Sequence, residues 1–243
     1  MKQNKYDHRE FFDEYKKMAR SRKGLEGAGE WHILKEMLPV MEGKDMLDLG
    51  CGYGWLCIHA AENEAKSVVG VDISEKMLGR ARELNNHPNV SFRQSPIEDI
   101  DFREGQFDFI LSSLAFHYVE PFEEMCRKIY TMLKPEGRFV FSVEHPIFTS
   151  RGEQEWFKDD KGGILHWPVD HYQDEGKRET AFLPENVIKY HRTVATYINA
   201  IVDAGFSIKQ VSEPVPSKDM LETNPEMKDE LRRPMFLMIS AEK

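Results

Sequence analysis

The densest chemistry in the 243-residue chain lies in Leu47-Asp48-Leu49-Gly50-Cys51-Gly52-Tyr53-Gly54. An apolar strand that runs into a glycine-rich turn and opens a helix presents backbone N–H groups to a ligand. Glycine allows positive φ and close approach at such points. The spacing then selects the ligand. A dinucleotide fingerprint needs GxGxxG, whereas the glycines here run GxGxG and Trp55 stands where a third glycine would pack helix against strand. Asp48 puts a carboxylate two residues before Gly50, where a pyrophosphate would otherwise rest. Phosphate is disfavoured, a cationic ligand suits the turn better, and a nicotinamide oxidoreductase is remote. Asp72 follows twenty residues beyond Gly52, at the end of a second apolar run.

Further titratable groups sit after later apolar runs. His117 follows Ser112-Ser113-Leu114-Ala115-Phe116, Glu144-His145-Pro146 ends a fifth run, and His191-Arg192-Thr193 opens a returning helical segment. Open parallel sheets bind ligands beyond the C-terminal ends of their strands. His117, Glu144, His145 and His191 are therefore candidates for a general base. Arg192, with a planar fork that stays charged, is a candidate for holding an acidic acceptor group. Each has a structural reading too: a site wall, a turn, or a helix start capped by Thr193.

The elements that position these groups follow from periodicity. Phe11, Phe12, Tyr15, Met18 and Ala19 fall at helical spacing until Gly24, Gly27 and Gly29, and Trp31, Leu34 and Leu38 restart the pattern as far as Pro39. From Asp45, short apolar runs alternate with helical periods: 46–49, 68–71, 90–92, 107–111 and 139–143. Near-continuous apolar strands alternating with helices indicate an α/β fold whose parallel sheet is covered on both faces. Residues 146–186 break the rhythm with Trp156, His166, Trp167, His171 and Tyr172 among many charges, and such a stretch reads as a lid. Thr193 then caps a helix that Gly205 ends. Strands at 206–211 and 235–241 close as a hairpin, giving a mixed sheet with one antiparallel member.

The flanking motifs resemble the class I S-adenosylmethionine-dependent methyltransferases, whose first motif reads DxGxGxG, and the resemblance runs over nearly the whole chain. It implies a Rossmann-like seven-stranded mixed sheet in a single domain, 1–243, with an N-terminal helical cover over 1–42 and the inserted lid over 146–186. It also implies S-adenosylmethionine as cofactor and S-adenosylhomocysteine as product. By that resemblance Asp72 chelates the ribose hydroxyls, Ile73 and Met77 flank the adenine, and Tyr15 and Arg20 close over the cofactor. Asp48, Gly50, Cys51, Gly52 and Gly54 form its glycine turn, and Ser112 lies on the matching fourth strand. Pro96 stands where the family commonly has Asp to read the adenine amino group, which leaves Ser95, Glu98 or a backbone carbonyl for that task and Ile97 N–H for the ring. Segments 24–31, 144–146 and 190–193 are similar to a bacterial type-11 subgroup.

Methyl transfer of this kind is an in-line displacement, assisted chiefly by holding two reactants at contact distance in a dry cleft. The alternative is a binding module that senses the cofactor without turnover. The chain lacks the (Asn/Asp)-Pro-Pro-(Tyr/Phe) signature of amide and nucleobase methyltransferases; Ser112-Ser113-Leu114-Ala115 stands there. With 33 Lys+Arg against 42 Asp+Glu the net charge is −9, which opposes nonspecific nucleic-acid binding. These features favour a small-molecule acceptor. No metal-ligand set is expected. Three unpaired cysteines, and no apolar stretch of about 18 residues, point to a cytoplasmic protein without membrane contact.

Overall fold

A computed structural model describes residues 2–243. Its centre is a seven-stranded sheet built from β1 (Asp45–Leu49), β2 (Ser67–Asp72), β3 (Val90–Gln94), β4 (Phe107–Ser113), β5 (Leu133–Glu144), β10 (Ser207–Ser212) and β11 (Phe236–Glu242). The order across the sheet is β10-β11-β5-β4-β1-β2-β3. β11 pairs antiparallel with both β5 and β10, and the remaining pairs are parallel. One antiparallel member is what the terminal hairpin requires. The order reverses beside β1, so the ends of β1 and β4 flank the crevice in which such sheets bind ligands.

The central strands are buried on both faces, which accounts for their unbroken apolar runs. One face packs Phe116, Phe122, Phe139, Phe141 and Tyr197. The other packs Trp31, Leu34, Cys57, Phe109 and Met238. The helices against the sheet are α4 (Trp55–Glu62), α5 (Glu75–Leu84), α6 (Phe122–Met132) and α8 (Val194–Asp203). Ser74 Oγ caps α5 by accepting from Met77 N at 3.1 Å, and Thr193 Oγ1 caps α8 by accepting from Thr196 N at 3.1 Å. β5 begins earlier than its apolar run: Phe107 pairs with Leu133 but Phe109 with Arg138, so residues 134–137 bulge out of the ladder.

Two short N-terminal helices, α1 (Arg9–Tyr15) and α2 (Ala19–Lys23), cover the crevice, and a third, α3 (Trp31–Met37), buries Trp31, Leu34 and Met37 in the apolar cluster against the sheet. After β5 comes α7 (Pro146–Thr149), then two hairpins, β6 (Phe157–Lys158) with β7 (Ile164–His166), and β8 (Gly176–Phe182) with β9 (Glu185–His191). β9 crosses residue 186, where the sequence suggests the lid ends. The register between its neighbours leaves no loop there. The N-terminal cover and this hairpin are joined. Gln3 exchanges hydrogen bonds with both backbone groups of Ile188, Lys5 pairs with Glu185, and the Phe11 and Phe182 rings lie 5.8 Å apart. The proline-rich connection after β10 carries α9 (Lys218–Thr223) and a 3₁₀ segment over Pro225–Arg232.

Candidate active site

β1 delivers Asp48 and then the glycine turn, where Gly50 and Gly54 adopt φ of +77° and +72°. A Cβ on Gly50 would stand 2.5 Å from that of Ala115, and one on Gly54 2.8 Å from the Phe92 ring. Glycine is required at both positions on conformation and on space. β2 ends in Asp72, whose Oδ2 accepts from Gly52 N and Oδ1 from Ser74 N, each at 2.9 Å. One acceptor site remains free on each oxygen. Burial pushes the Asp72 carboxyl up to about 6.

Asp48, Gly50, Gly52 and Asp72 line one cavity of about 680 Å³. Within it, Asp48 is 1% exposed; the Cys57 thiol donates to its Oδ2 at 3.4 Å and its Oδ1 has no partner. Burial raises this carboxyl to about 7. Tyr53 Oη and Trp55 Nε1 are likewise buried without partners, and both residues line the cavity. Orphaned buried polar atoms are rare unless a ligand satisfies them. Pro96, Ile97 and Glu98 form one wall beside Gly50, and Ile73 and Met77 another.

A second cluster lies beyond the turn. Arg20 forms an ion pair with the fully buried Glu30 and donates to Ser113 Oγ at 3.2 Å. Past it, Glu144 at the end of β5 accepts from Lys189 Nζ at 2.7 Å and from Gln154 Nε2 at 2.8 Å, while Lys189 also donates to Gln154 Oε1 at 2.9 Å. Burial opposes ionisation of Glu144, but the His117 ring, Lys189 and the Gln154 amide outweigh it and hold the carboxyl below its ordinary range. His117 accepts from Glu144 N through Nδ1 at 3.3 Å, so in the neutral ring the proton sits on Nε2. Burial pushes its pKa down to about 4, and at neutral pH it is a donor. Glu30, Tyr6, Gln154 and Lys189 were not among the residues expected from sequence, yet all line the cavity.

Several expected residues lie elsewhere. His145 caps α7 by accepting from Ile147 N at 3.0 Å and bonds Glu213 at 2.8 Å. His191 is buried between Thr149 Oγ1 and the Tyr172 carbonyl, both at 2.9 Å. Arg192 turns away from the cleft and donates to the carbonyls of Val119 and Glu120 at 2.7 and 2.6 Å. Its guanidinium stacks near Phe122, Tyr190 and Tyr197. The reason is alternation: Val187, Lys189 and His191 share the buried face of β9, and Arg192 leaves the strand toward the opposite side. Ser112 Oγ donates to Leu49 O at 2.8 Å between strands, and Ser95 Oγ donates to Pro96 O at 3.0 Å; neither lines the cavity, and Gly54 packs on β3 instead. Trp156 and Trp167 pack with Phe148 around Arg233 rather than over the cleft. Arg192→Lys, which keeps the charge but loses the fork, is expected to cost about 1 kcal/mol of stability and leave ligand affinity in the cavity unchanged; denaturant melts and calorimetry check this.

Known proteins match most of this chain. The model of a methyltransferase domain matches residues 47–141. An uncharacterised protein of Haemophilus influenzae is 39% identical over 245 residues, covering 98% of this chain and 96% of its own. A crystal structure of an S-adenosylmethionine-dependent methyltransferase from Mesorhizobium loti is 42% identical, with a TM-score of 0.85 over 90% of this chain and 100% of the other. The chain belongs to the S-adenosylmethionine-dependent methyltransferases. A Listeria monocytogenes structure assigned to the same enzymes is 52% identical, with a TM-score of 0.83 over 88% of this chain and 98% of its own. The seven-stranded mixed sheet of the methyltransferase is the class I fold, and its cofactor is S-adenosylmethionine. The donor set fits that group: a buried unpartnered carboxylate oxygen for a cation, a second carboxylate with free acceptor sites for a diol, and apolar walls for a purine. No helix among the described residues is long and apolar enough to cross a membrane.

Proposed function

We propose that this methyltransferase acts on a small-molecule acceptor held at the Glu144–Lys189 end of the cavity. The observation that carries this reading is how the cavity is walled. Tyr6 and Tyr15 come from the N-terminal cover, Phe148, Gln154, Phe182 and Lys189 from the segment after β5, and Phe236 from β11. Joined cover and hairpin leave a chamber of a size that suits a cofactor and a compact organic molecule, and the net charge of −9 gives a nucleic acid no attraction.

When bound, S-adenosylmethionine supplies an electrophilic methyl group. The chain's own residues hold and shield the reactants. Asp72 accepts from the ribose hydroxyls, Asp48 faces the cationic amino-acid end, and Arg20, fixed by Glu30 and Ser113, meets the cofactor carboxylate. Ile73, Met77 and Ile97 flank the adenine, with Glu98 beside it. His117 donates from Nε2, and Glu144 is the carboxylate placed to take a proton from the acceptor. His117 is thereby a positioning donor rather than a base. Incubating the protein with methyl-labelled cofactor and a cell extract split by ultrafiltration tests the acceptor class. Label is expected in the low-molecular-weight fraction; label confined to protein or nucleic acid overturns the reading.

The two raised carboxyls set a pH dependence. Ionised Asp48 and Asp72 are the forms that bind the cofactor, and they are protonated more readily in the free protein than an ordinary Asp. Binding therefore releases protons, and affinity rises with pH through the window from about 6 to 7. Between about pH 5.5 and 7.5 the dissociation constant is expected to fall at least about tenfold. Calorimetry in buffers of different ionisation enthalpy reads both the affinity and the released protons.

A further inference from the structure

Charge accounting inside the cavity narrows the acceptor further. The lysines and arginine that line it are already committed: Arg20 to Glu30, Lys189 to Glu144, and Lys2 to Asp99. Carboxylates are in surplus. With Asp48 and Glu98 taken up at the cofactor end, Glu155 still lines the same cavity and has no basic partner among the described residues. Arg192, the side chain best shaped to hold an acidic group, spends its fork on the Val119 and Glu120 carbonyls. An anionic acceptor would enter without a free cation to meet it. A cationic one would find Glu144, whose two oxygens each accept one hydrogen bond and each keep a free site. It would also find the aromatic walls of Tyr6, Tyr118, Phe148 and Phe182, the surroundings that favour ammonium groups.

We propose that the acceptor is a small amine, cationic in solution, recognised by Glu144 and methylated on nitrogen. This rests on the small-molecule reading above. The incoming ammonium gives one proton to the Glu144 carboxylate and so exposes its lone pair. The nitrogen forms the N–CH3 bond as the C–S bond breaks, the electron pair of that bond staying on sulfur. The product leaves as the N-methylammonium, and the proton on Glu144 passes to solvent.

The test uses the full-length protein saturated with S-adenosylhomocysteine and three probes of matched skeleton: 2-phenylethylamine, 3-phenylpropanoate and 2-phenylethanol. Calorimetric titration at about pH 7.5 is expected to show the amine binding at least about tenfold more tightly than the acid. Glu144→Gln leaves Lys189 unpaired and should abolish or reverse that order. Glu144→Gln with Lys189→Met removes both charges, leaves no lone buried ion, and should bring amine and acid within about threefold. An acid or alcohol that binds as tightly as the amine overturns the amine assignment and leaves the small-molecule reading standing. An amine preference that survives in the double variant overturns recognition by Glu144. If none of the probes binds while S-adenosylhomocysteine does, the amine assignment falls, and the small-molecule reading stands or falls on the labelled-extract experiment.

Discussion

Asp72→Ala is expected to weaken S-adenosylmethionine binding about tenfold to a hundredfold, with the fold retained. A hydrogen bond to a charged group contributes about 1.5–3 kcal/mol, and each 1.4 kcal/mol is a factor of ten in affinity. The substitution removes the acceptor for two ribose hydroxyls. It also frees Gly52 N and Ser74 N, which loosens the turn the cofactor rests on. Stability should suffer much less than affinity, for an electrostatic reason. The folded-state pKa of Asp72 lies above the ordinary value, so in the free protein its ionised form opposes folding once pH exceeds that of an unfolded Asp. Near neutral pH, removing the charge offsets the two lost backbone hydrogen bonds. Calorimetry for the dissociation constant and circular dichroism for the melt read both quantities. A folded variant with unchanged affinity would refute the ribose assignment.

How much of this could be read from sequence depended on how local the constraint is. The glycine turn was legible because φ above zero and a 2.5 Å clash at Gly50 restrict residue type one position at a time. Asp72 was legible because a strand end is a fixed address in a parallel sheet. The cap Thr193 was legible for the same kind of reason. The acceptor end was not. It is assembled from Tyr6, Gln154, Lys189 and Phe236, which share no local pattern and meet only through the docking of hairpin on cover. One signal was present: Val187, Lys189 and His191 alternate with Ile188 and Tyr190, and a period of two puts Lys189 on the face of a buried valine. Glu30 carried no such mark, since an acid before a helix is ordinary. His145 and His191 show the converse. Both sit near the crevice in sequence terms, and both are consumed by backbone and neighbour hydrogen bonds that only the tertiary structure supplies.

Lys189→Met should cost about 3–5 kcal/mol of stability, because it strands a buried carboxylate. Lys189 is 1% exposed and bridges Glu144 and Gln154. Methionine matches its length without its charge, so packing against Phe182 survives and the loss is electrostatic. Glu144 would keep Gln154 as its only side-chain donor. The pH dependence separates this cause from a packing defect. In the parent, Glu144 lies below its ordinary pKa, so its contribution to stability is present above the unfolded value and is lost as pH falls through the folded one. In the variant, burial acts without the lysine, the folded pKa rises above the unfolded value, and ionised Glu144 opposes folding. The two proteins should therefore differ most near neutral pH and converge only at acid pH, below the folded-state value of Glu144 in the parent. Adding Glu144→Gln removes the stranded charge and keeps a hydrogen-bonding partner for Gln154, so the double variant should regain at least about half of the loss. Urea unfolding of the parent, single and double variants at both pH values supplies the comparison. A single variant as stable as the parent at neutral pH, or a deficit that persists unchanged at low pH, would mean that the Glu144–Lys189 pair does not hold the acceptor end of the cavity together.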